Sequence, residues 1–494
     1  MAKSNYILVL LTCAALAMSC STARITASTL VDTLARTFPD VAGVTIPASC
    51  APLNFEILED GQRFYTEIST SKSSDDPIII ESSNCEISIP EGRWRELLQK
   101  ATGQKLTVRL AVERNGKWIE YQSFPLHISA RAMDNYLVYR LIDPGYSLWG
   151  NMGIYERELS SFAERTLIDN KSTQMGCMNC HTFSSNSPEK MMLHLRAKQT
   201  GTLIMTDGKV SKVKFKTGSM YSEGIYPAWS GDGDFIAYSI NEIQQAFHAW
   251  GDKPIEVYDL RSDLVVYDVR KNQLTSSASV FGDQFRETFP EWSPDGKWLY
   301  FCRAPRVDST AKAGGGVVEE SRYDVCRVAF DRTNCTFDSV EIIYPASTFD
   351  RSASFVKCSP DGRYLIFALS DYGNFSIWHP ESDLYVMDLR SGVVRAADEI
   401  NSNNTESYHS FSSNGSWLVF SSRRIDGLYT RPYIAYFDLA TGHFAKPFLL
   451  PQEKTDHYER QMQSYNIPQF VNGKVDSRKL IQAVEIEAQS VKLR

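Results

Sequence analysis

The sequence predicts an all-β chain: a β-sandwich-like domain over residues 20–133, then a six-bladed β-propeller over residues 134–494. Three observations predict it. Short apolar segments alternate with polar turns from Ala27 to Met133. A strand, a Ser-x-Asp/Asn-Gly turn and a second apolar strand then recur as YPAWSGDGDFIAYSIN at Tyr226, FPEWSPDGKWLYFCRA at Phe289, SFVKCSPDGRYLIFAL at Ser354 and HSFSSNGSWLVFSSRR at His409. Two weaker units precede these, and the strand-like SYNIPQFV from Ser464 closes a ring of six.

Each element has its own grounds. Residues 1–19 place Lys3 ahead of an apolar run from Tyr6 to Ala17, the pattern of a signal peptide and too short for a spanning helix. Ala17-Met18-Ser19-Cys20 resembles the lipobox of a bacterial lipoprotein, which makes Cys20 the expected lipid anchor. LNFEILED, RFYTEIST, CEISIP, KLTVRLAVERNG and KWIEYQSFPLHIS supply the sandwich strands, and Cys50 and Cys85, alone in that region, form its expected disulfide. Each later repeat carries a third strand (LVVYDV, YDVCRVAFD, LYVMDL, YIAYFDL), and its turn glycine supplies a positive φ. In the first blade YLVYRLI and MGIYERELS are the second and third strands, so SYNIPQFV is the expected inner strand. In the second, GCMNCHTF is the inner strand, MMLHLRA the second and TLIMTDGKVSKVKF the outer pair.

The net charge of −7 contains no basic run, which argues against nucleic acid and leaves small molecules and proteins as partners. Ten cysteines suit an oxidising compartment. Cys302, Cys326, Cys335 and Cys358 allow three connectivities, among which spacing does not choose.

The chemistry lies in Cys177-Met178-Asn179-Cys180-His181, a C-x-x-C-H motif inside one copy of the repeat. This is the signature of covalent haem c: two thiols form thioethers to the porphyrin vinyls, and the adjacent histidine ligates iron. A zinc site would need further Cys or His ligands nearby, and no second C-x-x-C exists. A thioredoxin-like pair would precede a helix, whereas this one precedes a hairpin. One haem c held by Cys177, Cys180 and His181 is therefore expected.

For the second iron ligand, blade geometry directs attention to the face where inner strands begin. There lie His248, His379, His409, Met152, Met175 and Met220. His248, in the long excursion from Asn241 to Ser262, is the favoured ligand. His194 is the runner-up only if its hairpin is irregular, because a regular one sets it opposite His181, with Cβ atoms about 5 Å apart. Trp229, Trp292, Trp298 and Trp417 are expected in blade cores, and the absence of G-x-S-x-G leaves a serine peptidase unsupported.

WSPDGKWLYF and CSPDGRYLIFAL, with the Asp-containing strands that follow, resemble the TolB-like β-propellers over about two-thirds of the chain. YLVYRLIDPGYSLWGNMGIYERELSSF leading into GCMNCHTF is similar to Bacteroidetes-type lipoproteins that join a haem c motif to such a propeller. The resemblance implies a cell-envelope lipoprotein, membrane-tethered at Cys20; the single haem motif, with no chain of partner haems, points to a relay of electrons between envelope proteins more than to an enzyme. The STAR sequence after Cys20 has no acidic export-like cluster and favours the periplasmic side. Two other functions fit the same residues: a non-redox protein-binding scaffold in envelope assembly, and a haem peroxidase-like enzyme with an open iron position.

Overall fold

The structure is a computed structural model that describes residues 24–25, 27–70, 76–144, 150–216, 218, 220–248, 251, 253–306 and 321–494. The expected anchor, Cys20, lies outside the described residues.

Six antiparallel blades form the propeller. Their inner strands are Ser464–Val471, Met178–Phe183, Gly224–Trp229, Phe285–Trp292, Ser352–Cys358 and Glu406–Phe411, for blades one to six. Each packs on the next, and the last returns to the first, so the ring is closed. We call the end at which these strands begin the upper face. Closure works as expected: Ser464–Val471 pairs with Tyr136–Ile142, which leads outward to Met152–Glu158 and Glu164–Asp169. The C-terminal tail adds a second staple, with Gln489–Ser490 on the outer strand of blade two and Lys492–Leu493 on that of blade three.

The repeat turns do what their residues require. Ser293 Oγ donates to Asp295 Oδ1 at 2.6 Å and accepts from Trp298 N at 3.0 Å, while Gly296 adopts φ 67°. The same Ser-to-Asp bond closes the turns at Ser230 (2.7 Å) and Ser359 (2.6 Å). These aspartates cap their own turns and need no metal.

The N-terminal region is two-layered. A seven-stranded sheet is built on Lys105–Arg114 and Arg63–Thr70, and a three-stranded one joins Thr37–Phe38, Phe55–Ile57 and Glu86–Ile87. The helix Glu91–Lys100 was not expected, although Trp94, Leu97 and Leu98 recur at helical spacing and are its buried residues. This region shares one apolar core with blades one and six, in which Trp417 is fully buried with its Nε1 donating to Ala132 O at 3.0 Å.

The expected Cys50–Cys85 disulfide is absent: both are free thiols. Cys50 is buried beneath Trp94, whose Nε1 donates to its carbonyl at 3.0 Å, whereas Cys85 is held at the edge of the small sheet by the bond from Ile57 N. Burial pushes the Cys50 thiol up to about 12. Cys302, Cys326, Cys335 and Cys358 are also free. Cys302 and Cys358 face the core between blades four and five, and Cys326 and Cys335 that between blades three and four. Cys302 and Cys326 thus point to opposite faces of one sheet and cannot pair with each other.

Candidate haem-attachment site

Every inner strand carries the same irregularity. Its pairing slips by one residue around a single position with positive φ: Cys180 (57°), Tyr226 (49°), Phe289 (54°), Phe355 (52°), Tyr408 (44°) and Ile467 (53°). Left-handed backbone at non-glycine residues costs about 1–3 kcal/mol each, and here the ring enforces it six times. The result is a collar across the central channel. Tyr226, Phe289, Phe355 and Tyr408 meet in sequence with ring centroids 4.4, 4.2 and 4.9 Å apart. Ile467 and Cys180 hold the two remaining positions, so the second cysteine of the motif stands where four other blades place an aromatic ring.

Below the collar lies a cavity of about 370 Å³, lined by Cys180, His181, the collar aromatics, Trp229, Trp292 and the Lys357–Glu291 ion pair (2.8 Å) among others. Cys177 does not line it. The first cysteine sits above the collar, half-buried against the core between blades one and two, its carbonyl accepting from Arg196 N at 2.9 Å. The motif therefore straddles the collar, contrary to the expectation that the whole group serves the upper face alone.

His181 follows the collar position, as Pro227, Pro290, Val356, His409 and Pro468 do in the other blades. It is 1% exposed. Burial, assisted by the Arg140 charge, holds it near pKa 4, so the imidazole is neutral at pH 7 with a lone pair to offer. Its counterpart His409 is equally buried, but its Nε2 donates to Ile366 O at 2.9 Å. The carbonyls of Val138 and Ile467 lie near the His181 ring and favour its protonated form, yet neither ring nitrogen makes a hydrogen bond of proper geometry.

Above the collar, Met178 N donates to Met152 Sδ at 3.5 Å, and Arg140 Nη1 reaches Met178 O at 3.4 Å. Burial raises the Cys180 thiol, and the nearby Arg196 and Arg140 charges only partly offset it.

The other expected ligands do not converge on the motif. His194 pairs across the hairpin with Asn179, not His181, because the bulge at Cys180 shifts the register. It is buried with Nδ1 3.0 Å from Thr202 Oγ1, and burial lowers it to about 3. His248 lies exposed at the tip of the hairpin formed by Phe235–Phe247 and Ile255–Asp268. That hairpin leans onto blade five, across the ring from blade two: Lys253 Nζ bonds Glu381 at 2.8 Å, and Tyr372 Oη donates to Glu256 at 2.8 Å. His379 is held between Glu256 (3.3 Å) and Glu381 (3.1 Å). Met175 is exposed, and Met220 is buried in the core between blades two and three.

Sequence reasoning missed the collar and Arg140. The collar was legible in the aligned tetrapeptides CHTF, YPAW, FPEW, FVKC, YHSF and IPQF. Arg140 was legible as the one charge within YLVYRLI.

The donor set fits haem c in kind: two free thiols at C-x-x-C spacing and a buried, neutral imidazole. No known protein family and no curated protein matches the chain. Among solved structures, the chain is similar to an oligogalacturonate lyase from Vibrio parahaemolyticus, with 11% identity and a TM-score of 0.33 over 61% of this chain and 92% of that one. It is also similar to hydrazine synthase of Kuenenia stuttgartiensis (16%, 0.31, 54% and 64%) and to a prolyl endopeptidase (15%, 0.33, 64% and 42%). At such identities and scores the likeness says nothing of activity, substrate or cofactor.

Proposed function

We propose that the protein is a TolB-like, lipid-anchored envelope protein that carries one covalent haem c and relays electrons between envelope proteins. The observation that supports this reading is the buried, neutral His181, whose ring nitrogens make no hydrogen bond of proper geometry, beside free Cys177 and Cys180. A buried polar atom without a partner costs about 1–3 kcal/mol, and an iron ligand bond removes that cost. Cys177 and Cys180 would hold the group through two thioethers, each formed by adding S–H across a vinyl, and His181 would hold its iron. When bound, the haem supplies a one-electron Fe(III)/Fe(II) couple.

The chain contributes the surroundings of that couple. His181 would supply the imidazole that holds iron, and its neutrality means that no proton would need to leave first. Cys180 and His181 face the cavity below the collar, so the collar aromatics with Trp229 and Trp292 would set water access and dielectric response around the group. Cys20 tethers the chain to the membrane, on the periplasmic side, as in the lipoproteins the sequence resembles.

A second reading, a haem-free protein-binding scaffold, is favoured by one observation: His181 occupies the register of His409, an ordinary inter-blade histidine. An absorption spectrum of protein matured in a host that assembles haem c, taken after denaturing washes, separates the two. A sharp α-band on dithionite reduction, together with a mass increase equal to one haem, is the expected result. A featureless spectrum would sink the cytochrome reading and leave the scaffold. Carbon monoxide binding to the reduced protein would mark an open iron position and favour the peroxidase-like alternative.

A further inference from the structure

The second strand of blade three outruns its inner neighbour. Phe235–Phe247 pairs with the inner strand Gly224–Trp229 only as far as Ile240, and beyond that it is held on one side alone, by Ile255–Asp268. Its backbone direction is fixed at both ends. Asp234 O accepts from Val269 N at 3.0 Å and His248 N donates to Pro254 O at 2.9 Å, so the even-numbered residues face the outer strand. Phe235 O accepts from Ser230 N at 2.9 Å, so the odd-numbered ones face the inner side. Ile243, Gln245 and Phe247 therefore direct their N–H and C=O groups to an edge that no strand among the described residues pairs.

The edge is open and unguarded. Glu242, Ile243, Gln244, Gln245 and Phe247 are exposed, with Ile243 and Phe247 presenting apolar side chains to water. Proteins blunt a free edge with lysine, proline or a bulge in the edge strand. From Glu242 to Phe247 there is no lysine and no proline, and the bulge at this level lies in the outer strand, at Leu260.

The stretch is complementary to itself. Placed antiparallel to its own copy about a two-fold axis at Gln245, it sets Gln245 against Gln245, and Ile243 against Phe247 of the second copy, each such pair exchanging two N–H···O=C bonds. On the other face of the ribbon Gln244 meets Ala246, and Glu242 meets His248, a carboxylate against a ring N–H. Sliding the copies by two residues sets Ile243 or Phe247 against Gln245 and loses the apolar match. One register is thus preferred.

We propose that this edge pairs with the same edge of a second copy of the chain, joining the two hairpins into one continuous ribbon about a two-fold axis. The pairing needs no haem and goes beyond the function proposed above. About six residues a side make an interface well short of the ~1,600 Å² of a standard one, so the dimer is expected to form reversibly with concentration.

Sedimentation equilibrium of the full chain over a concentration series tests this, with wild type, Gln245→Pro, Ile243→Glu and Phe247→Lys. Gln245 N points away from Ile255–Asp268, so proline removes the outward donor and leaves the hairpin ladder in place. The average mass of the wild type is expected to rise toward twofold, and each variant alone to weaken association by roughly tenfold or more. An equimolar mixture of Ile243→Glu and Phe247→Lys is expected to regain it, because one Glu–Lys pair forms across the axis while the other Ile–Phe pair is kept. If Gln245→Pro disturbs the hairpin, the mixture decides alone. A wild-type monomer throughout the series overturns the proposal, and so does a dimer that is indifferent to these variants.

Discussion

Blades two and six carry nearly the same inner strand, CHTFSSN against YHSFSSN, and put it to different ends. In blade six the histidine bonds Ile366 O, the collar residue is an aromatic ring, and the register two before it holds a paired glutamate. In blade two the corresponding histidine makes no bond of proper geometry, the collar residue is a thiol, and the arginine beside that register lacks an acid. Three local departures coincide on one strand. A repeat protein thus supplies its own control: blade six gives its histidine a backbone bond that blade two does not.

The widest separation is all or none. Cys177→Ala with Cys180→Ala is expected to abolish covalent haem, whereas Cys358→Ala, which removes a thiol three residues beyond the collar residue of another blade, leaves it intact; intact-mass spectrometry reads both. Next is stability without haem. His409→Ala removes the bond to Ile366 O and strands a buried carbonyl, an expected loss of about 1–3 kcal/mol in urea unfolding. His181→Ala gives up no hydrogen bond of proper geometry, only the approach of its ring to the Val138 and Ile467 carbonyls, and is expected to cost less; equal losses would break the contrast between the two histidines. A smaller effect sharpens it from the other side. Cys180→Phe restores an aromatic to the collar and is expected to stabilise the haem-free chain by about 1 kcal/mol through ring contacts, while preventing the second thioether. A clear loss of stability would mean that the collar has no room there.

The smallest effect concerns a histidine with two partners. Burial alone would push His379 down, but the hydrogen bonds to Glu256 and Glu381 outweigh it and raise it above its ordinary 6.5. Burial opposes ionisation of Glu381 too, yet bonds from His379 and Lys253 pull it down to about 2. The histidinium contributes stability that is fully present below 6.5 and fades as pH rises through its raised value. The glutamate contributes above 4.5 and fades as pH falls toward 2. The blade-three hairpin is therefore held best between pH 4.5 and 6.5. Amide exchange at Gln244 to Phe247, corrected for its intrinsic pH dependence, is expected to quicken on either side of that window by a few-fold.

The fold was largely legible because its signals are local and repeated. The turn residues, the third strands and the orphaned first blade, which lacked an inner strand until SYNIPQFV supplied one, all follow from sequence. The helix at Glu91 went unseen because its ten residues stand among strands, where alternation was the pattern sought. At the site, the motif was plain but its surroundings were not. Left-handed backbone at Tyr226 or Phe289 contradicts their intrinsic preference and arises only when six strands converge on one axis. The lean of the His248 hairpin depends on ion pairs with residues more than a hundred positions away, which no local window contains.

Ring closure also sets an order in time. His181 is walled in by Val138 and Ile467, and Ile467 belongs to the strand that follows every other blade in the chain. During synthesis the motif emerges, with blade two able to form, well before Ser464–Val471 arrives to seal its flank. The ring therefore stands open beside Cys177 and Cys180 throughout that interval and shuts over them only when the chain zips itself closed.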